Sequence, residues 1–337
     1  MYYLGIDTSN YTTSAAIYDS ENNLVIHRKK LLPVKQGECG LRQSDAVFHH
    51  VQQLPQVIND LFSEFHGNIT AVGVSAKPRD VKGSYMPCFT VGHGTAKILS
   101  QVLNVPLYEF SHQNGHIAAA LYSSKKTELV GQKFLAFHVS GGTTESVIVQ
   151  PHEENIFQVE LVGKTLDLNA GQLIDRIGVM LGLKFPCGHE LEQLALKSNA
   201  KIKTKATLKD TDCCLSGIEN ICKKAFSDGM SKEDVSLMCL MYVEKAISEM
   251  CKKILEKYGE MPVIFAGGVM SDKIIKDKIS EKFNAYFAAP EFSADNAGGT
   301  AFLTYLKHKN MGAGILIPAE VKGEQPLWGL GQRPNNQ

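Results

Sequence analysis

The chain lacks an excess of either charge: Lys and Arg number 35, Asp and Glu number 35, and the formal net charge is +0 over 337 residues. Bulk electrostatics gives no reason to favour nucleic acid, so such a partner would have to be met by a local patch. No apolar run approaches the length that crosses a bilayer, and no membrane role is expected. The chain opens on the strand-like MYYLGID, with no basic-then-apolar leader. Also missing are GxxxxGK[ST] and a GxGxxG after the first strand, so neither a P-loop enzyme nor a conventional dinucleotide fold is supported. The eight cysteines contain no CxxC, and Cys213 and Cys214 are adjacent. In a chain this long they read as reduced thiols, and the cytoplasm is the expected compartment.

What is present is an ordinary globular composition, 44% hydrophobic and 21% charged. The length exceeds the usual size of one core and predicts two lobes. Short strands open the chain at 2–7, 12–19 and 24–32, the first two joined by the polar tip Thr8-Ser9-Asn10, which reads as a hairpin. Helical spacing runs from Ser44, a candidate N-cap, to Phe65, with Pro55 expected to kink it. A strand at 69–76, a helix at 95–103 and a strand at 105–110 follow. A second hairpin, 134–142 with 143–149, echoes the first. Helices are then expected at 171–182, 189–198, 216–227 and 233–258, a strand at 262–266, a helix from about 271, a strand at 284–290 and a helix at 295–308. The echo suggests two lobes built on one plan.

Three turns that follow apolar strands carry chemistry: Asp7-Thr8-Ser9-Asn10, Ser140-Gly141-Gly142-Thr143-Thr144, and Ala266-Gly267-Gly268-Val269. Glycine admits close backbone approach, consecutive N–H groups can cradle phosphate, and Ser and Thr hydroxyls add donors. Asp7 could orient a metal-bound water. Any one of them also reads as a plain tight turn. Their order, with two hairpin tips facing across a cleft, describes the α/β two-lobed architecture of actin, Hsp70 and the sugar kinases. The expected division is 1–111 plus 293–337 for the N-terminal lobe and 112–292 for the C-terminal lobe.

The second constellation is Ser111-His112-Gln113-Asn114-Gly115-His116. On a helix capped by Ser111, His112 and His116 lie one turn apart on one face and can share a cation. A plainer reading makes them buried or capping histidines. Residue 113 is Gln, so the general base of an HExxH protease is missing. Asp295, after a strand and at a helix start, is the chosen third ligand, although it could simply be an N-cap. Two imidazoles and one carboxylate leave coordination positions open, which suits one catalytic Fe or Zn ion.

Together these motifs resemble the TsaD (glycoprotease-like) family of tRNA threonylcarbamoyladenosine synthases, in the actin-like ATPase superfamily. The likeness spans nearly the whole chain: GIDTSNYTTSAAIYD, SHQNGHIAAA, HVSGGTTESVIV, IDRIGVMLGLKFPCG, CLSGIEN, FAGGVMSD and PEFSADNAGGTA. It implies metal binding by His112, His116 and Asp295, and phosphate binding by Ser140, Gly141 and Gly142. It further implies nucleotide-sugar contacts from Asp175 and Gly188, and a base-region contact from Asp272. The implied reaction is transfer from threonylcarbamoyl-AMP to the N6 amine of adenosine 37 in tRNA, with ATP, AMP or the acyl-adenylate held between the lobes. Accessory subunits of the tRNA-modification system are implied partners. No residue is assigned as catalytic acid or base.

The sequence also departs from the family. Thr143 stands where His is usual, Asp272 where Asn is usual, and Glu219 where Lys is usual. Ala76–Val81 replaces a Gly-Pro-Gly loop. This pattern is that of a divergent paralogue. It leaves two rivals, a carbamoyltransferase acting on a small molecule or protein and a nucleotide-binding scaffold subunit. Retention of the histidine pair weighs against the scaffold. Lys201, Lys203, Lys205 and Lys209 form the one basic stretch that could meet tRNA, and they also read as a solvated loop.

Overall fold

A computed structural model describes residues 1–9, 11–33, 41–292 and 297–310. The N-terminal sheet is built from β1 (Tyr2–Asp7), β2 (Thr12–Asp19), β3 (Leu24–Leu31), β4 (Ile69–Lys77) and β5 (Leu107–Ser111), in the order β3-β2-β1-β4-β5. The first three form an antiparallel meander, and β4 and β5 add in parallel. The second sheet uses β6 (Phe134–Val139), β7 (Thr144–His152) and β8 (Ile156–Lys164). After the short pair β9 (Leu208–Lys209) and β10 (Asp212–Cys213), it is completed by β11 (Val263–Ala266) and β12 (Ala285–Phe287). Its order, β12-β11-β6-β7-β8, is the same plan read from the other edge. The meander is again antiparallel and the last two strands parallel. The echo between the two hairpins is therefore a duplicated topology.

Helices α1 (Gln43–Ser63) and α2 (Phe89–Leu103) cover the first sheet, and α3 (His112–Ser123) lies between the sheets. The helices α4 (Ala170–Met180), α5 (Gly188–Ala195), α6 (Ser216–Ser227), α7 (Lys232–Tyr258) and α8 (Lys273–Ser280) build the large core of the second lobe. The last helix, α9 (Ala297–Asn310), returns to β1 and α3. Its glycines permit this: a Cβ on Gly299 would lie 2.0 Å from the Gly115 carbonyl oxygen of α3. A Cβ on Gly5 of β1 would lie 2.3 Å from the Ala297 carbonyl oxygen. The helix after Asp295 is thus seated on the residue between the two histidines. One core cluster runs from Tyr3 and Ala71 through α3 and α9 to Phe134 and Ile264, tying the lobes together.

Several elements depart from sequence expectation. The N-cap of α1 is Arg42, not Ser44, and the helix runs on through Pro55. The α2 helix begins six residues earlier than its apolar spacing suggested, at Phe89. Strand β8 was not anticipated, because its buried Ile156, Phe157 and Val162 are interrupted by Gln158 and Glu160. No helix among the described residues is long and apolar enough to cross a membrane.

Candidate active site

The first polar turn is an anchor. Asp7, at the end of β1, is buried, and its Oδ2 accepts from Ser75 Oγ at 2.6 Å and meets His112 Nδ1 at 2.9 Å. Its Oδ1 accepts from the Ser9 N–H at 2.7 Å. Burial pushes the Asp7 carboxyl up, but the His112 imidazole and the bonds from His112, Ser75 and Ser9 outweigh it and leave it below its ordinary range. An ionised Asp7 can only accept, so His112 donates to it through Nδ1, and Nε2 points away from Asp7. Thr8 is fully buried, its hydroxyl donating to the Cys88 carbonyl at 2.9 Å and accepting from the Gly92 N–H at 3.0 Å. Its hydroxyl is thereby committed to the start of α2.

Ser111 caps α3 as its sequence implied, accepting from the Asn114 N–H at 3.2 Å. The His112 and His116 rings then stand 4.6 Å apart, centroid to centroid. A third imidazole joins them: His138 of β6 lies 4.8 Å from His116. Burial, then His112 and His138, holds His116 well below the usual imidazole range. Burial, then His112, lowers His138 to about 4. Both rings are therefore neutral at pH 7. Sequence reading passed over His138, yet a histidine in the otherwise apolar FLAFHV was the available signal.

Two neutral imidazoles, His116 and His138, beside a third ring whose Nδ1 is held by a buried carboxylate, are the donor chemistry of a divalent-cation site. Among the described residues no three His, Cys, Asp or Glu side chains meet at a metal-sized point. Asp295, the expected third ligand, lies outside the described residues.

Opposite stands the second turn, closed by the Ser140 N–H on the Thr143 carbonyl at 2.7 Å. The start of α4 docks behind it: Gly171 N–H donates to Ser140 O at 3.1 Å and Ala170 N–H to Thr144 Oγ1 at 2.9 Å. The Asn169 side chain caps the next amide of that helix. These bonds engage the helix's own N-terminal donors, so an anion here would be held by the turn. No described residue accepts from the Gly141, Gly142 or Thr143 N–H groups, and a Cβ on either glycine would meet open space. The third turn packs alongside. Gly267 has φ +100°, and a Cβ there would lie 2.2 Å from the Val139 carbonyl oxygen. Gly268 faces open space.

One cavity of about 580 Å³ is lined by Asp7, Ser9, His112, His116, His138, Ser140, Gly142 and Thr143. The cleft thus gathers the histidine cluster and the glycine turn. Asp175 lies elsewhere, in a cavity of about 510 Å³ with Phe185, Glu219 and Lys223. Its Oδ1 accepts from the Cys187 N–H at 2.8 Å, which places it beside Gly188. Glu219 pairs with Arg176 at 2.9 Å and Lys223 at 2.6 Å, filling the place where the resemblance led to Lys. Asp272 is buried and caps α8 through the Ile275 N–H at 3.0 Å. Lys201, Lys203, Lys205 and Lys209 are all exposed, alternating with half-covered neighbours.

This duplicated architecture is the actin-like ATPase fold. A HypF structure from T. kodakarensis superposes with a TM-score of 0.59 at 12% identity, covering 91% of this chain and 48% of that one. A ROK family glucokinase from Streptomyces griseus, solved with glucose and AMPPNP, gives 0.52 at 12%, covering 92% and 100%. Residues 27–302 match the family described as tRNA N6-adenosine threonylcarbamoyltransferase. A curated relative of that name from Archaeoglobus fulgidus is 25% identical over 316 residues, 92% of each chain. The chain belongs to this family, TsaD, whose members transfer threonylcarbamoyl groups to tRNA.

Proposed function

We propose that the protein transfers the threonylcarbamoyl group of threonylcarbamoyl-AMP to N6 of adenosine 37 in tRNA, with the acyl-adenylate bound between the lobes. The observation that carries this reading is a single cavity holding the Asp7–His112–His116 arrangement on one side and an open glycine turn on the other. The Gly141, Gly142 and Thr143 amides would receive the AMP phosphate and stabilise the charge it gains on leaving. Asp7 fixes the orientation of His112. In the reaction the amine nitrogen bonds to the acyl carbon, the acyl C–O bond to phosphate breaks, and AMP departs as one amine proton is released. His112, His116 and Asp295 would hold one divalent ion, Fe or Zn, which when bound supplies Lewis-acid polarisation of the acyl oxygen.

Asp175, Gly188 and Asp272 are assigned to the nucleoside side, in a nucleotide site shared by ATP, AMP and the acyl-adenylate. The lobes divide at 1–111 plus 293–337 and 112–292. The lysine row from Lys201 to Lys209 is a candidate contact for tRNA, and accessory subunits would complete the system. The test is incubation of the metal-loaded protein with threonylcarbamoyl-AMP and undermodified tRNA, followed by nucleoside mass spectrometry. Formation of threonylcarbamoyladenosine supports the reading. No product with partners supplied, but carbamoylation of a small molecule or protein, overturns it.

A further inference from the structure

Among the described residues that line the cleft, Arg79 is the one Lys or Arg, set against the carboxylates of Asp7 and Glu145. It sits in the segment after β4 that departs from the family's Gly-Pro-Gly loop. That segment is pinned to the histidine helix: Gln113 N–H donates to the Pro78 carbonyl at 3.1 Å, and Ser111 Oγ donates to Asp80 Oδ2 at 2.7 Å. Arg79 N–H donates to Ser84 Oγ at 3.0 Å. The guanidinium reaches across the cleft, and its Nη2 meets Glu145 Oε2 at 2.9 Å. Glu145 on β7 is the register partner of His138 on β6. Cross-strand partners share a face, so this ion pair lies beside the imidazole cluster.

Solvent reaches the Arg79 end of this pair, whose side chain is 45% exposed against 16% for Glu145, and screening there limits what the pair adds to stability. Its placement has another use, because a guanidinium fork binds carboxylates in pairs of parallel hydrogen bonds. We infer that Arg79 is the subsite for a carboxylate on the acyl part of the donor, and that Glu145 occupies this subsite until the donor carboxylate displaces it. The inference rests on the acyl-adenylate reading above and adds to it the residue that selects the acyl group. Arg79 acts here as a specificity residue and Glu145 as its resident competitor. An acyl group lacking the carboxylate leaves the ion pair intact and gains nothing from Arg79.

The experiment measures binding of three probes by calorimetry: a non-transferable threonylcarbamoyl-adenylate analogue, the same compound with a carboxamide in place of the carboxylate, and AMP. Arg79→Ala weakens the first about 10- to 100-fold, in line with loss of a charge-assisted hydrogen bond, and leaves the other two within about twofold. Arg79→Lys keeps part of the affinity, which separates charge from folding. Glu145→Gln tightens the first probe about 2- to 5-fold, as expected from removing a weak competing ion pair, and this gain vanishes in the Arg79→Ala background. Equal losses for AMP and the first probe would mean that Arg79 reads phosphate, which overturns the inference. Weakening by Glu145→Gln would make the pair a structural latch and overturn it too. If the unmodified protein binds AMP but neither acyl-adenylate analogue, the donor reading falls, and this inference with it.

Discussion

The two hairpin turns occupy equivalent places in the two sheets, between β1 and β2 and between β6 and β7, yet they are built to opposite ends. The described part of the first is closed on itself and on its neighbours: Asp7, Thr8 and Ser9 are buried, the Asp7 side chain is engaged by Ser75, His112 and the Ser9 amide, and the Thr8 hydroxyl by Cys88 and Gly92. The second closes with one hydrogen bond and leaves three successive amides with no acceptor among the described residues, and Ser140, Gly142 and Thr143 line the cleft. One scaffold thus yields a rigid anchor for a histidine and an open cradle for an anion. The difference lies in side chains: Asp and Thr supply internal partners that satisfy a turn, whereas Gly supplies none and leaves the backbone to a ligand.

The sharpest way to break this contrast is to strike the anchor. His112→Ala should abolish both bound metal, read by elemental analysis, and transfer. Asp7→Asn should lower metal affinity about 10- to 100-fold by loosening the His112 ring, while AMP binding at the second turn stays unchanged. Equal loss of AMP binding would mean that the turns are not separate devices. The converse strike is Gly142→Ala. Because a Cβ there meets nothing within 4 Å, thermal stability should hold. AMP affinity should fall about 10-fold, because the added methyl occupies the space in which a phosphate would approach the retained amides, a loss of the size of one charge-assisted bond, and calorimetry would measure it.

Sequence reading made the contrast only half visible. Polar and glycine-rich tips, apolar strands and the Ser111 cap are local properties, so the two hairpins, the helix of the histidine pair and the two-lobed plan could all be read. Not legible were contacts between residues far apart in the chain. Asp7 reads as a group that could orient a metal-bound water, and its bond to His112, 105 residues away, adds a role that no local pattern carries. Thr8 reads in the sequence as a ligand-facing donor, and the bonds of its hydroxyl to the start of α2 come from residues 80 and 84 positions away. His138 and the Arg79–Glu145 pair enter the site only because β6, β7 and the loop after β4 converge there. Strand β8 escaped because an edge strand with a mixed face breaks the apolar pattern.

Smaller effects should refine the account of the anchor. Thr8→Val keeps the shape of the side chain but takes from the buried Gly92 amide the hydroxyl oxygen that accepts from it. We expect a loss of about 1–3 kcal/mol in stability, seen in urea unfolding, with AMP affinity unaltered. A fall in AMP affinity of the size caused by Gly142→Ala would place Thr8 among the ligand contacts after all.

The third turn offers the last test, because its neighbour Asp272 combines both designs: a cap that satisfies a helix and a carboxylate held in a poor place for charge. Burial raises the Asp272 carboxyl to about 6, opposed by the amide of Ile275 and helped by Glu192. A carboxyl raised on folding binds its proton more tightly in the native state. Its favourable contribution is therefore present below the unfolded value near 3.9 and is lost as pH rises to about 6. Above pH 6 the native state carries a buried charge, at a cost of at most about 3 kcal/mol. Asp272→Asn retains an oxygen for the Ile275 amide and removes that charge. It should stabilise the protein by about 1–2 kcal/mol at pH 8 and by much less at pH 4, measured as urea midpoints at the two values. An equal gain at both would show that the side chain's shape, and not its charge, limits the third turn.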